Sequence, residues 1–214
     1  MLNELDKELE NRGLHFCRYA DDCNIYLKSK KSAYRVMSSI TRFIEEDLKL
    51  KVNKDKSKVD RPWKLKYLGF TFYPKKGEMG IRVHESSVNK LKAKLKEITG
   101  RSNAMSMEFR VIKLRQVIVG WINYFKLADM KSTLITLDKW LRRRIRLCYW
   151  KQWKKIKTKH DNLKRLGVDK YKAWEYANTR KGYWRISKSP ILSKTLTNKY
   201  LKGQGFITLT EKYL

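Results

Sequence analysis

Residues 15–27 read His-Phe-Cys-Arg-Tyr-Ala-Asp-Asp-Cys-Asn-Ile-Tyr-Leu, in which two short apolar runs flank a polar centre. Two such runs joined by a polar turn are typical of a β-hairpin. The turn would hold the carboxylates of Asp21 and Asp22 side by side at an exposed edge, and Mg²⁺ prefers oxygen ligands of this kind. Phosphoryl-transfer enzymes use such carboxylates to hold two ions about 3.5–4 Å apart. Because Asp-Asp pairs also occur in ordinary turns, the surrounding sequence has to decide between the two interpretations.

The sequence around this hairpin predicts an α+β fold for residues 1–83. Leucines at helical spacing predict a short helix before Gly13, and a longer apolar stripe predicts an amphipathic helix over residues 30–48. Residues 64–73 are rich in β-forming types and predict a further strand, which turns back at residues 74–77. This part of the chain therefore mixes helices and strands.

The rest of the chain is predicted to be mainly helical. Three stripes of apolar residues recur every three or four positions, which predicts three helices that share one core. These stripes run over residues 88–98, 111–128 and 134–148. Weaker patterns predict short helices at residues 160–166 and 170–179. We therefore expect three regions in the chain, residues 1–83, 84–159 and 160–214.

The charge of the chain predicts a polyanionic partner. Its 214 residues include 51 Lys and Arg against 21 Asp and Glu, a net charge of +30. Lysine and arginine gain affinity for nucleic acid by releasing counterions from phosphates, so nucleic acid is the first candidate and an anionic membrane surface the second. The charge is unevenly spread, since residues 1–28 carry a net −2 whereas residues 139–159 hold ten basic residues and no acidic one.

The cysteines, histidines and apolar runs narrow the class of protein. The three cysteines form no CxxC pair and the three histidines are scattered, so neither a zinc site nor a disulfide framework is predicted. No apolar run approaches the roughly 18 residues of a membrane span. The acidic N-terminal stretch is unlike a signal peptide. These features predict a cytoplasmic protein with reduced thiols and no membrane partner.

The order of the motifs resembles one known family. Four early segments together resemble the palm of the reverse transcriptases that group II introns encode: Arg18–Asp22, Phe43–Glu46, Val52–Lys58 and Lys66–Phe70. Three later segments resemble the maturase domain of that family, also called domain X or thumb, and its tail: Gly120–Phe125, Arg180–Arg185 and Ser189–Leu192. The resemblance implies a partial reverse-transcriptase palm followed by a mainly helical thumb or maturase bundle.

The resemblance also implies roles for individual residues. The family copies RNA into DNA with Mg²⁺ and stabilises its intron for splicing and mobility. By this resemblance Asp21 and Asp22 are catalytic metal ligands, and Lys56 contacts the incoming triphosphate or protonates pyrophosphate. The nucleotide and primer sites would be formed by Tyr19, Ala20, Leu68, Gly69 and Phe70. An ordinary solvated lysine remains an equal alternative for Lys56, and core packing remains an alternative for the apolar residues of the primer site.

The same resemblance implies that part of the enzyme is missing. The family's palm has a further metal-binding Asp on an earlier strand, but the only Asp before Tyr19 is Asp6, in a polar helical segment. The fingers also have no counterpart. We therefore expect a C-terminal fragment that binds group II intron RNA, and a DNA template–primer as a further candidate, but does not polymerise by itself. Two alternatives stay open: a split reverse transcriptase completed by a separate N-terminal half, or a truncated remnant without function.

The RNA-binding surface is predicted on a basic helix. On a helical wheel of residues 134–153, the apolar stripe occupies one face, and the opposite face carries Lys139, Arg142, Arg143, Arg146, Trp150 and Trp153. Arginines beside exposed aromatics suit RNA, because they pair with phosphates and stack on unpaired bases. Four more residues complete the predicted surface: Lys154, Arg180, Lys181 and Arg185. Membrane binding is disfavoured because the apolar face would be used in the helical core.

The remaining aromatic residues and two histidines are predicted to have no direct role in binding. Helical spacing favours the core for Trp121, Tyr124 and Phe125. Packing roles are also favoured for Trp174, Tyr183 and Trp184. Ordinary surface positions are expected for His84 and His160.

Overall fold

The computed structural model describes residues 2–75 and 77–214. Contacts within the chain divide it into two compact units, Met1–Arg82 and Val83–Leu214. Among the described residues, helices dominate and are accompanied by two small two-stranded sheets, so the predicted α+β class is confirmed. The division of the chain into residues 1–83, 84–159 and 160–214 stays a prediction.

In the first unit, the hairpin lies between two helices along the chain. Its elements are α1 (Leu2–Asn11), β1 (His15–Tyr19), β2 (Asp22–Tyr26), α2 (Lys30–Arg42), β3 (Phe70–Lys75) and β4 (Glu78–Val83). The chain leaves α1 at Gly13, whose φ of 62° is a left-handed conformation that suits glycine. Ser29 starts α2 by accepting a 3.1 Å hydrogen bond from the backbone N–H of Ser32. A π-helical turn, Phe43–Asp47, continues α2.

A small apolar core holds the hairpin against both helices. Leu5 and Leu9 of α1 are buried together with Ile40 of α2. Phe16 of β1 and Ile25 of β2 are partly buried against this cluster. Each fully buried side chain of this size contributes about 1.5–3 kcal/mol, so the core fixes the base of the hairpin.

In the second sheet, β3 with β4, a tyrosine ring lies very close to the backbone of a glycine. A Cβ atom added to Gly80 of β4 would lie 2.6 Å from Cζ of Tyr73 in β3. The guanidinium of Arg82 lies 5.8 Å from the centroid of the same tyrosine ring. The turn predicted at residues 74–77 includes Lys76, which lies outside the described residues.

The second unit is helical throughout. It contains α3 (Glu85–Ile98), α4 (Met107–Phe125), α5 (Lys131–Gln152), α6 (Ile156–Arg165), α7 (Lys170–Ala177), α8 (Tyr183–Ile186), α9 (Pro190–Thr195), α10 (Asn198–Gly203) and α11 (Leu209–Tyr213). Side-chain oxygens cap several of these helices, because the first backbone N–H groups of a helix lack partners within it. Ser106 accepts from Phe109 N–H at the start of α4, and Thr197 accepts from Tyr200 N–H at the start of α10. Among the described helices, none combines the length and apolar character needed to cross a membrane.

The apolar stripes of α3, α4 and α5 form the core, as predicted. The whole predicted stripe of α5 is buried: Leu134, Leu137, Leu141, Ile145 and Cys148. In α4, Leu114, Ile118 and Phe125 are buried as predicted, but Ile122 is buried in place of Trp121, which is only partly buried. Tyr124 is 56% exposed, so its predicted place in the core is wrong.

Part of the face of α5 opposite this stripe is covered as well, because C-terminal helices pack on it, while Lys139 on the same face stays exposed. Trp150 is 2% exposed and Trp153 is 6% exposed, so their predicted exposure is wrong. Their rings pack at 6.0 Å between centroids, and Tyr149 lies 6.2 Å from the Tyr200 ring of α10. Neither tryptophan therefore offers a free face to an RNA base.

Two further aromatic groups differ from the sequence-based expectation. His160 is buried rather than exposed, and its ring stacks on Trp174 with centroids 4.1 Å apart. This stack joins α6 to α7. Trp174 and Trp184 keep 40% and 41% of their surface exposed, so packing involves only part of each ring.

Candidate metal-binding turn and nucleic-acid interface

The hairpin presents its two carboxylates at a tight two-residue turn. Tyr19 pairs with Asp22 as the last pair of the ladder, so Ala20 and Asp21 form the turn. Ala20 has a φ of 52°, a left-handed conformation that is costly for a residue with a Cβ. Asp21 and Asp22 are both exposed. The predicted geometry of adjacent carboxylates at an open edge is therefore present.

An ion pair between β1 and α1 stabilises this turn. Arg18 of β1 donates from Nε to Oδ1 of Asp6 at 2.5 Å, and its Nη2 pairs with Oδ2 of the same carboxylate. Its Nη1 donates to the carbonyl oxygen of Ala20 at 2.9 Å. The Arg18 guanidinium holds the pKa of the Asp6 carboxyl below its ordinary value. One arginine thus ties α1 to the strained residue that precedes Asp21.

The donor set of the turn is suitable for Mg²⁺ but small. Carboxylate oxygens are the ligands that this ion prefers. Among the described residues, however, no group of three or more Asp, Glu, His or Cys side chains is placed to hold a metal. Asp6, the one earlier Asp, is engaged by Arg18. A complete site at Asp21 and Asp22 would need oxygen ligands from a bound phosphate or another polypeptide.

The predicted primer residues form a second turn in the same unit. Tyr67 and Phe70 exchange backbone hydrogen bonds of 3.0 and 2.8 Å around Leu68 and Gly69, which both have positive φ. Sγ of Cys17 in β1 lies 3.5 Å from the hydroxyl oxygen of Tyr67. This contact places the turn beside the hairpin, and the role of its residues at a primer stays a prediction.

Lys56 lies in a separate polar turn. The side chain of Asn53 accepts from the backbone N–H groups of Asp55 and Lys56, both at 3.2 Å. Lys56 is exposed, and no hydrogen bond or ion pair between described residues joins it to the hairpin. Its role at the triphosphate stays a prediction.

The arginines of α5 bind mainly within the protein. Arg143 donates to the carbonyl oxygen of Trp184 at 2.7 Å, and its guanidinium carbon lies 3.7 Å from the centroid of that indole. Arg144 donates to Oγ1 of Thr99 at 2.6 Å, and Arg146 donates to the carbonyl oxygen of Leu196 at 3.2 Å. Burial lowers the pKa of both Arg144 and Arg146. These guanidinium groups dock other helices on α5.

The exposed positive charge lies elsewhere on the same unit. Residues 83–214 hold 32 Lys and Arg against 9 Asp and Glu, a net charge of +23. Of the residues predicted to bind RNA, Arg142 is partly buried, and five are exposed: Lys139, Lys154, Arg180, Lys181 and Arg185. Binding of RNA by these five residues stays a prediction.

Comparison with known families matches both parts of the chain. Residues 1–72 match the family model described as reverse transcriptase (RNA-dependent DNA polymerase). Residues 88–167 match that of the group II intron, maturase-specific domain. The chain belongs to the group II intron reverse transcriptases and maturases. In this maturase the paired carboxylates therefore lie in the reverse-transcriptase part and α5 lies in the maturase part, and both domains imply binding to intron RNA. No curated protein matches the chain significantly.

Sequence reasoning missed the structural partners of two charged residues of this maturase. Asp6 has a partner, Arg18, that lies across a chain reversal at Gly13, and a single helical pattern does not reveal it. Asp138 is 4% exposed and accepts from the backbone N–H groups of Leu209 and Thr210 at 2.8 and 3.0 Å. It is the only acidic residue between positions 129 and 161. An acidic residue so isolated in a basic stretch could have been predicted to have a structural partner.

Proposed function

We propose that this maturase binds the RNA of its own intron through an exposed basic surface. The observation that supports the proposal most directly is a set of exposed cations without acidic partners among the described residues: Lys139, Lys154, Lys155, Lys157, Arg180, Lys181 and Arg185. Like charges at this density repel one another in the free protein. RNA phosphates would relieve that repulsion and release counterions, which supplies affinity.

The salt dependence of RNA binding tests this proposal. With roughly six phosphate contacts, the logarithm of the affinity should fall with the logarithm of the salt concentration at a slope of about −4 to −5. The measurement is a fluorescence-anisotropy titration of labelled intron RNA at several salt concentrations. Replacing Arg180, Lys181 and Arg185 together by Gln should flatten the slope by about 2–3 units. A nearly flat slope for the unchanged chain would contradict electrostatic RNA binding.

A matched control uses cations that already have acidic partners. Lys7 lies 3.3 Å from Glu4, and Lys64 lies 4.0 Å from Asp60. Both lysines are well exposed, but their charge is locally balanced. Replacing these two by Gln should flatten the slope by less per replaced cation than the triple variant does, because a paired cation releases fewer counterions.

We further propose that the hairpin is the metal-binding corner of a reverse transcriptase completed in trans. The match to reverse transcriptases and the position of Asp21 and Asp22 above the Arg18 ion pair support this second function. Mg²⁺ would neutralise charge on the transferring phosphates there. The partners would be a DNA template–primer and an N-terminal reverse-transcriptase half that supplies the further carboxylate. The cytoplasmic location stays a prediction.

A further inference from the structure

A cleft of about 410 Å³ in the second unit has the chemistry of a nucleotide site. It lies between α3, α5 and α8, and its lining includes Lys92, Lys96, Trp140, Arg144 and Trp184. Three of these five residues are cations and two are tryptophans. Among the described residues that line the cleft, none is acidic.

The two lysines of the cleft are placed for a phosphate. Lys92 and Lys96 are four residues apart on α3, so they lie on the same face of the helix. Both are exposed, and neither takes part in an ion pair within the described chain. Like charges at this spacing destabilise a helix, and an anion between them would remove the repulsion. The neighbouring Lys94, by contrast, pairs with Glu97 at 3.0 Å.

Trp184 is a preorganised stacking platform. The guanidinium carbon of Arg143 lies 3.7 Å from the centroid of its indole ring and so covers one face. The ring still has 41% of its surface exposed, and it lines the cleft. Because Arg143 already fixes the ring, a planar ligand that stacks on the open part would order little further protein. Unpaired RNA bases stack on such aromatic platforms.

The second tryptophan of the cleft is already occupied by cations. Lys92 Nζ lies 5.6 Å from the ring centroid of Trp140, and the guanidinium carbon of Arg144 lies 5.5 Å from it. These contacts hold positive charge at the wall of the cleft. Trp140 therefore positions cations for a phosphate, while Trp184 is the residue with surface free for a base.

We propose that this cleft holds one unpaired nucleotide of a bound RNA, with the base stacked on Trp184 and the phosphate between Lys92 and Lys96. The inference rests on the proposed RNA binding and adds a defined subsite to it. Aromatic stacking together with phosphate pairing distinguishes this occupant from a duplex, whose bases are already stacked on one another. It also distinguishes it from an acidic peptide, which would use the cations without needing the indole.

The test compares two probes on paired variants. The probes are a short fluorescein-labelled single-stranded RNA of mixed sequence and an abasic strand of the same length, both titrated against the full chain by anisotropy. Trp184→Leu, which keeps apolar bulk but removes the π face, should weaken the base-containing RNA roughly 5-fold or more, as expected for loss of one stacked base. It should leave the affinity for the abasic strand unchanged. Lys92→Ala with Lys96→Ala should weaken both probes and flatten the salt slope by about 1.

Matched controls separate the subsite from general effects. Trp174→Leu changes a tryptophan of the same unit with nearly the same exposure, 40%, and should change neither affinity. Lys94→Ala changes a paired lysine on the same helix and should leave the salt slope unchanged. Thermal unfolding of each variant confirms that the chain remains folded, and Trp184→Met, which also lacks a π face, replaces Trp184→Leu if the latter does not fold.

Two outcomes would overturn the inference. One is equal affinity of Trp184→Leu and Trp174→Leu for the base-containing RNA. The other is that Trp184→Leu weakens the affinity for both probes equally. That result would show that the cleft binds phosphate or acidic groups alone. In either case a steep salt slope of the unchanged chain would leave the proposed RNA binding standing. Absence of binding by the unchanged chain would overturn both proposals.

Discussion

The guanidinium of Arg143 stacks on the indole of Trp184 at 3.7 Å and also donates to the carbonyl oxygen of the same residue at 2.7 Å. Arg143 belongs to α5 and Trp184 to α8, so one side chain makes two links between helices 41 residues apart in sequence. A helix as short as α8, Tyr183–Ile186, has little stability of its own. Its position therefore depends on this residue of α5.

The first prediction is that Arg143→Ala destabilises the protein by about 1–3 kcal/mol. The stacking contributes about 0.5–2 kcal/mol, and the hydrogen bond about 0.5–1.5 kcal/mol. The measurement is the free energy of unfolding from a denaturant titration. Lys139→Ala is the control, because Lys139 is an exposed cation of the same helix. Equal stability of the two variants would show that Arg143 does not dock α8.

A second prediction concerns the buried carboxylate of Asp138. Its two oxygens accept three hydrogen bonds, from the backbone N–H groups of Leu209 and Thr210 and from Oγ1 of Thr210. Asp138→Asn replaces one acceptor by a donor, which should cost about 1.5–3 kcal/mol of unfolding free energy. Hydrogen exchange should also become faster at the amides of Leu209 and Thr210. Unchanged exchange there would contradict a capping role for Asp138.

The core of the second unit gives a third prediction. Leu141 is 2% exposed, and Leu141→Ala should lower the free energy of unfolding by about 2–5 kcal/mol because it leaves a cavity. Ile135 is on the same helix but is 38% exposed. Ile135→Ala should therefore cost clearly less in the same denaturant titration. A larger cost at Ile135 would mean that the faces of α5 are assigned incorrectly.

The ion pair of Asp6 and Arg18 predicts a dependence on pH. Its stabilisation is fully present above the pKa of an unfolded Asp carboxyl, about 3.9, and is lost as the pH falls through the lower pKa of the folded state. Acid unfolding of the full chain, followed by circular dichroism, should have a component below about pH 4. This component should be smaller in Asp6→Asn. An unchanged acid profile for that variant would show that the pair contributes nothing to stability.

The last prediction concerns polymerisation. We expect no primer extension by the purified chain with Mg²⁺, template–primer and nucleotides, because Asp21 and Asp22 lack a third carboxylate neighbour among the described residues. Both ions must be held in place to align the primer hydroxyl with the nucleotide phosphate. Adding an N-terminal reverse-transcriptase half should produce extension that Asp21→Ala abolishes. Extension by the lone chain that depends on Asp21 would mean that a second copy completes the site.

The sequence predicts those parts of the fold in which one local pattern determines the structure. The hairpin at residues 15–27 and the buried stripe of α5 follow from local spacing, and both are confirmed. Trp150 and Trp153 lie outside that stripe, so a helical wheel assigns them to solvent. They are buried against each other, Lys159 of α6 lies over the Trp150 ring, and Tyr149 beside them contacts Tyr200 of α10. Burial of this kind depends on tertiary contacts between distant segments.

In the candidate site, too, local sequence patterns identify some residues, and tertiary contacts determine the role of others. Asp21 and Asp22 are recognisable because adjacent carboxylates in a turn form a compact local signal. The contacts of Arg143, Arg144 and Arg146 are not recognisable, since an arginine that donates to a distant carbonyl reads in sequence like one that faces a phosphate. The net charge of the chain therefore overstates how many cations are free to bind RNA.

The close approach of Gly80 to Tyr73 has a consequence for how this sequence can vary. Any other residue at position 80 would push the tyrosine ring away, and with it the contact that the ring makes with Arg82. In a library that samples all amino acids at both positions, alanine at position 80 should occur more often with a smaller side chain at position 73 than with tyrosine. The two positions would then change together, and a survey of functional variants would reveal the β3–β4 pairing without any structure at hand.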